Sequence, residues 1–208
     1  MEGTFRHEDL QDLIRLIEST NGDPHLEIEA RIGRIHASEP KHGIMQNRTT
    51  FEADVGKHAL QRISQKLHTN PGWSFQHDSK TVDTFYPQNI RQTVDAHGRK
   101  NTIRKERLYV LDIPLPDSAF DVRICVSRET PIRHSHGERI GQREKMRTSY
   151  GYKDTFRYDV TETIDEQGQT THEFELELLA PQTFIHERGS KHVAKSMLCK
   201  LEDILHFF

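Results

Sequence analysis

The chain has 208 residues, 33% hydrophobic and 29% charged, with a mean hydropathy of −0.79, which suits one compact, polar domain rather than a disordered chain. Its 29 Lys and Arg nearly cancel its 32 Asp and Glu, so no whole-molecule basic field exists to hold nucleic acid, and an anionic ligand needs cations gathered in one place. No apolar run is long enough to span a bilayer, residues 1–12 lack a signal-peptide core, and Cys125 and Cys199 match no metal spacing and read as reduced thiols.

Residues 5–19 are expected to form a helix, with Leu10, Leu13, Ile14 and Ile17 on one face. The turn Asn21-Gly22-Asp23-Pro24 ends it, and Leu26 to Ile35 alternates as a strand. A polar loop with Pro40 and Gly43 follows, then a second helix over 51–68 with Val55, Ala59, Ile63 and Leu67 in register. From there the period changes to two. Strands are expected at 73–86, 89–96, 101–113, 120–130, 142–150, 153–165 and 170–179, mostly joined as hairpins. The basic loop 131–141, with Arg133, His134, His136 and Arg139, reads as a solvated hairpin loop. A third helix is expected over 188–206. Eight closely spaced strands have the pattern of a meander or barrel, not of βαβ units, and residues 1–208 read as a single domain.

Side chains alternate across a strand, and here the two faces differ in kind. Leu26, Ile28, Ala30 and Ile32 oppose Glu27, Glu29, Arg31 and Gly33; Phe174, Leu176 and Leu178 oppose Glu173, Glu175 and Glu177. Phe156, Tyr158 and Val160 oppose Arg157, Asp159 and Thr161. The polar face of 142–150 carries Arg143, Lys145, Arg147 and Ser149, and Ile103, Lys105, Arg107 and Tyr109 share a face of 101–109. A sheet with one wet side explains any single strand. It explains less well why carboxylates concentrate on two strands and cations on others, because like charges side by side destabilise a sheet. Hard divalent cations take carboxylate oxygens, and Arg and Lys faces hold phosphate. A closed sheet with these faces inward would be a tunnel for a metal and a polyphosphate, with its apolar core outside, beneath the three helices.

The motifs Leu26-Glu27-Ile28-Glu29-Ala30-Arg31-Ile32-Gly33 and His172-Glu173-Phe174-Glu175-Leu176-Glu177 enclose six others in order. These are Thr81 to Tyr86, Ile90 to Thr93, Ile103 to Lys105, Phe120 to Glu129, Glu144 to Tyr150, and Arg157 to Thr161. Over residues 25–180 the chain resembles the triphosphate tunnel metalloenzymes, and more closely the RNA 5′-triphosphatase branch of fungal, protozoan and some viral capping systems. The resemblance implies an α+β, mainly β fold: an eight-stranded antiparallel barrel with helices outside. It implies Mg²⁺ or Mn²⁺ held by Glu27, Glu29 and Glu177, with Glu173 and Glu175 supporting the metal's water shell. It implies phosphate binding by Arg31, Arg91, Lys105, Lys145, Arg147 and Arg157, with Asp159 positioning a cation and Glu129 orienting or deprotonating the attacking water. Asp83, Arg107 and Thr161 fall at further positions of the pattern.

The implied activity converts the 5′-triphosphate end of nascent RNA to a diphosphate, with nucleotides as side substrates, a separate guanylyltransferase as partner and the nucleus as its place of action. A monomer is expected. The first motif carries Arg31 where many tunnel enzymes carry Lys. No P-loop, Cys-nucleophile motif or paired histidine spacing offers another route to the reaction. Alternatives within the fold are an inorganic tripolyphosphatase or thiamine triphosphatase; outside enzymes, a module that binds triphosphate ends without cleaving them.

Overall fold

A computed structural model of the chain describes residues 4–20, 22–37, 49–133 and 137–208. The polar loop around Pro40 and Gly43 lies outside these residues. In chain order the elements are α1 (His7–Glu18), β1 (Leu26–Ala37), β2 (Thr49–Glu52), α2 (Lys57–His68), β3 (Phe75–Tyr86), β4 (Ile90–Asp95), β5 (Lys100–Ile113), β6 (Asp121–Pro131), β7 (Gly141–Tyr152), β8 (Phe156–Asp165), β9 (Thr170–Leu178), α3 (Pro181–Arg188) and α4 (Ser190–Leu205).

All strands join one antiparallel sheet in the order β2-β1-β6-β5-β4-β3-β7-β8-β9, and β1 also pairs with β9. That last pairing, Ile28↔Leu178 through Arg31↔Glu175, closes eight strands into a barrel. The ninth strand, β2, pairs only with Arg34–Ala37 of β1, beyond the seam.

The core lies outside the barrel, as alternation predicts. Ile28, Ala30 and Ile32 of β1, Val122, Ile124 and Val126 of β6, and Phe174 and Leu176 of β9 have no solvent exposure. They pack beneath Leu13 and Ile17 of α1, Ile63 of α2, and Val193, Met197 and Leu201 of α4. Each of these Val, Leu, Ile, Met and Phe side chains contributes about 1.5–3 kcal/mol by leaving water. Trp73 fastens α2 to this shell: its indole N–H donates to Leu67 O at 2.6 Å, and its ring meets Tyr150 and Tyr158 at centroid distances of 5.5 and 5.1 Å.

The structure corrects five local expectations. Residues 51–52 belong to strand β2, and α2 starts only at Lys57, because Asp54 and Val55 are tied to β9. His172 N–H donates to Asp54 Oδ1 and Val55 N–H to His172 O, both at 2.9 Å. The C-terminal helical region is two helices, so four helices stand where three were expected. Gly189, at φ 78°, turns the chain between them in a conformation that only glycine adopts without cost.

In β5 the register shifts between Arg107 and Tyr109. This bulge sends Tyr109, opposite the outward-facing Val126, away from the face it was expected to share with Lys105. Finally, 131–141 is no hairpin loop, since β6 and β7 are not neighbours. The chain leaves beside β5, with Ile132 N–H donating to Thr102 O, and rejoins beside β3, with Ile140 N–H donating to Phe85 O. His134 and His136 lie outside the described residues.

Candidate active site in the barrel interior

The inward faces enclose a cavity of about 300 Å³. Twelve of its lining side chains are ionisable: Glu27, Glu29, Asp83, Glu129, Glu175 and Glu177 against Arg31, Arg91, Lys105, Lys145, Arg147 and Arg157. Strand register explains how residues so distant in sequence meet. Glu29 stands opposite Glu177 across the seam, Glu177 opposite Arg157, and Arg157 opposite Gly151 on β7. Arg31 stands opposite Glu175 and Lys105 opposite Glu129.

The cations occupy three groups. Arg31 and Arg147 both grip Glu175, at 2.6 and 2.8 Å. Arg147 also donates to Asp159 at 2.7 Å and to Thr161 Oγ1 at 3.0 Å. Asp159, fully buried, accepts from Ser149 Oγ at 2.6 Å and from Arg157 at 3.0 Å. In the second group Lys105 bonds Glu27 and lies 3.3 Å from Glu129, which also accepts from Arg91 at 3.0 Å. In the third, Lys145 sits 2.8 Å from Asp83, whose other oxygen accepts from Thr93 at 2.6 Å.

Two carboxylates on β9 are driven in opposite directions. Burial alone would raise Glu175, but the guanidinium groups of Arg31 and Arg147 outweigh it and hold it far below the carboxylate range. Burial, reinforced by Glu27, Asp159 and Glu175, outweighs Arg157 at Glu177 and pushes it up to about 8. Burial raises Glu29 as well. Such divergence separates roles: Glu175 is saturated by its guanidinium partners, whereas burial outweighs Arg31 and Lys105 at Glu29 and Arg157 at Glu177. Among the cations, burial and the neighbouring Arg143 lower Lys145 against the pull of Asp83. Lys105 is raised, because Glu29 and Glu27 outweigh its burial.

Glu27, Glu29 and Glu177 therefore offer clustered carboxylate oxygens at which burial outweighs the neighbouring cations, the chemistry that fits a hard divalent cation. Among the described residues no three His, Cys, Asp or Glu side chains converge as they stand on one metal position. Glu27 is drawn to Lys105 and Glu177 to Arg157, so their carboxylates have to turn from these partners to share an ion.

Of the expected site residues, four lie off the cavity wall. Asp159 and Thr161 sit buried behind Arg147, Glu173 stands opposite Thr161, and Arg107 is exposed next to the β5 bulge. Glu175, expected to support a metal's water shell, is engaged by the Arg31 and Arg147 guanidinium groups. Three residues of the wall were given no site role by the sequence reading: Ser79, and Thr81 and Thr93, which lie within its motifs. Ser79 and Thr81 alternate in step with Asp83, and that spacing was the signal for them.

A closed antiparallel barrel with carboxylates and cations facing one internal cavity defines the tunnel class of triphosphate-handling proteins. The family model described as "mRNA capping enzyme, beta chain" matches residues 11–208, and the chain belongs to that family. It is 26% identical to the mRNA-capping enzyme subunit beta of Schizosaccharomyces pombe over 187 residues, 74% of this chain and 61% of that protein. It is 34% identical to the subunit of the same name from Candida albicans over 119 residues, 48% of this chain and 23% of that protein. The chain thus spans under two thirds of the length of either relative. The solved structure of the S. pombe Pct1 RNA triphosphatase superposes with a TM-score of 0.79 at 20% identity, covering 98% of this chain and 94% of that one, a likeness of fold.

Proposed function

We propose that this chain is a metal-dependent RNA 5′-triphosphatase of mRNA capping. It hydrolyses the γ-phosphate of triphosphate-ended RNA to leave a diphosphate end and inorganic phosphate, with nucleoside triphosphates as side substrates. The observation that carries the reading is the gathering of the carboxylates Glu27, Glu29 and Glu177 with six cations around one small cavity. On this reading it acts in the nucleus beside a separate guanylyltransferase.

Phosphoryl transfer to water needs positioning and charge neutralisation more than covalent help. Glu27, Glu29 and Glu177 would hold Mg²⁺ or Mn²⁺, which supplies Lewis acidity and a template for the phosphate oxygens. Arg31, Arg147 and Arg157 are held rigid by Glu175 and Asp159, so their donors are set in advance for phosphate oxygens. Lys145 stands beside Arg147 on β7, and Lys105 and Arg91 project from β5 and β4 on the other side of the barrel. Glu129, within 3.3 Å of both Lys105 and Arg91, accepts a proton from the attacking water or fixes its orientation. The pre-paired cations lose little freedom when phosphate arrives.

The test is phosphate release from RNA labelled at its γ-phosphate, with and without Mg²⁺ or Mn²⁺, alongside Glu27→Ala and Glu177→Ala. Metal-dependent release leaving a diphosphate end, lost by more than about 100-fold in either variant, supports the reading. Release from inorganic tripolyphosphate alone removes the capping role and keeps a tunnel hydrolase. No turnover of either substrate removes the enzyme.

A further inference from the structure

Beyond the cavity wall at Ser79, β3 continues for four residues to Phe75 on the same inward face. β4 pairs with Thr81–Tyr86, so among the described residues, 75–80 have a strand on one side only. Phe75 remains 39% exposed, one of few large apolar side chains to do so. Its ring does not point away from the barrel. It lies across Gly151 on β7, so close that a Cβ there would overlap the ring. Gly151 stands opposite Arg157, and Arg157 opposite Glu177. One lateral row thus runs from an exposed phenyl ring, over a glycine, to a proposed phosphate-binding guanidinium and a proposed metal ligand. Two strand spacings separate Phe75 from Arg157, about 10 Å.

Near the other end of β1 the interior is covered. The Phe51 ring and Glu52 O lie over Gly33, and the Arg123 guanidinium stacks on Phe51 at 4.8 Å. A phosphate held by Arg157 lies two strands along this row from Phe75. An exposed ring with a free face, beside a phosphate-binding arginine, is a stacking platform, and base–aromatic stacking is indifferent to base identity because every base has a π-face.

We propose that Phe75, seated on Gly151, forms a nucleobase subsite for the first nucleoside attached to the triphosphate, in RNA or in a free nucleoside triphosphate. The site makes the enzyme prefer nucleoside-bearing triphosphates over inorganic tripolyphosphate, without preference for the base. The inference rests on the triphosphatase reading for its substrate.

The test uses a short triphosphate-ended RNA with 2-aminopurine as its first base, whose fluorescence is quenched by stacking, with wild type, Phe75→Leu, Phe75→Tyr and Gly151→Ala. Quenching is expected in wild type and Phe75→Tyr, and its loss in Phe75→Leu. In Gly151→Ala the ring is intact but displaced, so quenching is expected to weaken. In parallel, KM for RNA and for ATP rises about 10- to 100-fold in Phe75→Leu, while turnover of inorganic tripolyphosphate stays at the wild-type rate. Unchanged quenching in Phe75→Leu overturns the subsite, as does an equal fall for RNA and tripolyphosphate, which marks a structural role. If wild type turns over nothing yet quenching still depends on Phe75, the hydrolase reading fails and the base subsite stands.

Discussion

Glu29 and Glu177 face each other directly across the β1–β9 seam that closes the barrel. Like charges in that position weaken a strand pair, and Glu29 is buried while Glu177 is partly so. The barrel is therefore closed at a place where its own chemistry opposes closure. Above about pH 8, where Glu177 is ionised, Glu177→Gln relieves the repulsion, and at any pH it removes a proposed metal ligand. At that alkaline pH its metal-free form is expected to melt a few degrees higher than wild type, while the proposed metal-dependent hydrolysis falls more than about 100-fold. Calorimetry and phosphate release check the two halves, and a variant that is less stable yet fully active contradicts both.

The same residue sets an unusual pH dependence. In the folded, metal-free protein Glu177 holds its proton up to about pH 8, against an ordinary value of 4.5. Between those values the folded state keeps a proton that the unfolded chain has lost, so stability falls as pH rises from about 4.5 to about 8 and then levels. Denaturant midpoints across that range are expected to decline in wild type and to flatten in Glu177→Gln. Glu175, shifted downward, contributes in the opposite sense and only at more acid pH.

Asp159 is the buried anchor of Arg147 and Arg157. Asp159→Ala leaves two guanidinium groups and the Ser149 hydroxyl short of a partner, a loss of about 3–5 kcal/mol by analogy with other broken buried ion pairs. Urea unfolding measures it. Arg147→Met/Asp159→Leu, which removes both charges of a pair, is expected to recover part of that stability and no activity, separating the anchor's structural part from its chemical one.

Gly33 is needed for space. A methyl there meets Glu52 O and the Phe51 ring, so Gly33→Ala is expected to displace β2 while the eight-stranded ring persists. Hydrogen exchange should quicken at residues 49–52 and hold at 174–178. Equal loss at both would mean that β2 is integral to the barrel.

The sequence was most informative where the period is two. Alternation in 26–35 and 173–178 assigned Glu27, Glu29, Glu175 and Glu177 to one face and the apolar core to the other, and the barrel keeps that division. Closure was not readable from alternation, since a wet-faced open sheet has the same pattern; it came from the order of the motifs. β2 was lost because Thr49–Glu52 is only four residues long and runs into a helical pattern. The β5 bulge carries no Gly or Pro, so nothing local marks where Tyr109 leaves the face of Lys105. Ser79, Thr81 and Thr93 were passed over because hydroxyls on a strand face are ordinary until the face is known to be concave. The pairing of Asp83 with Lys145 depends on β3 lying beside β7, which no local feature of either strand states.

The six acidic and six basic side chains of the cavity wall give the barrel something of the character of an ion-exchange bead. On the proposed reading an arriving triphosphate displaces Glu27 from Lys105 and Glu177 from Arg157, while Glu175 and Asp159 keep their guanidinium partners, rather than shedding a cloud of bulk counterions. On an open basic surface, affinity for a polyanion falls steeply with added monovalent salt. Here the competing anions are tethered and their local concentration is fixed by the fold, so added sodium chloride changes the exchange little. The concentration of divalent ions, which re-employ the displaced carboxylates, becomes the variable that governs binding.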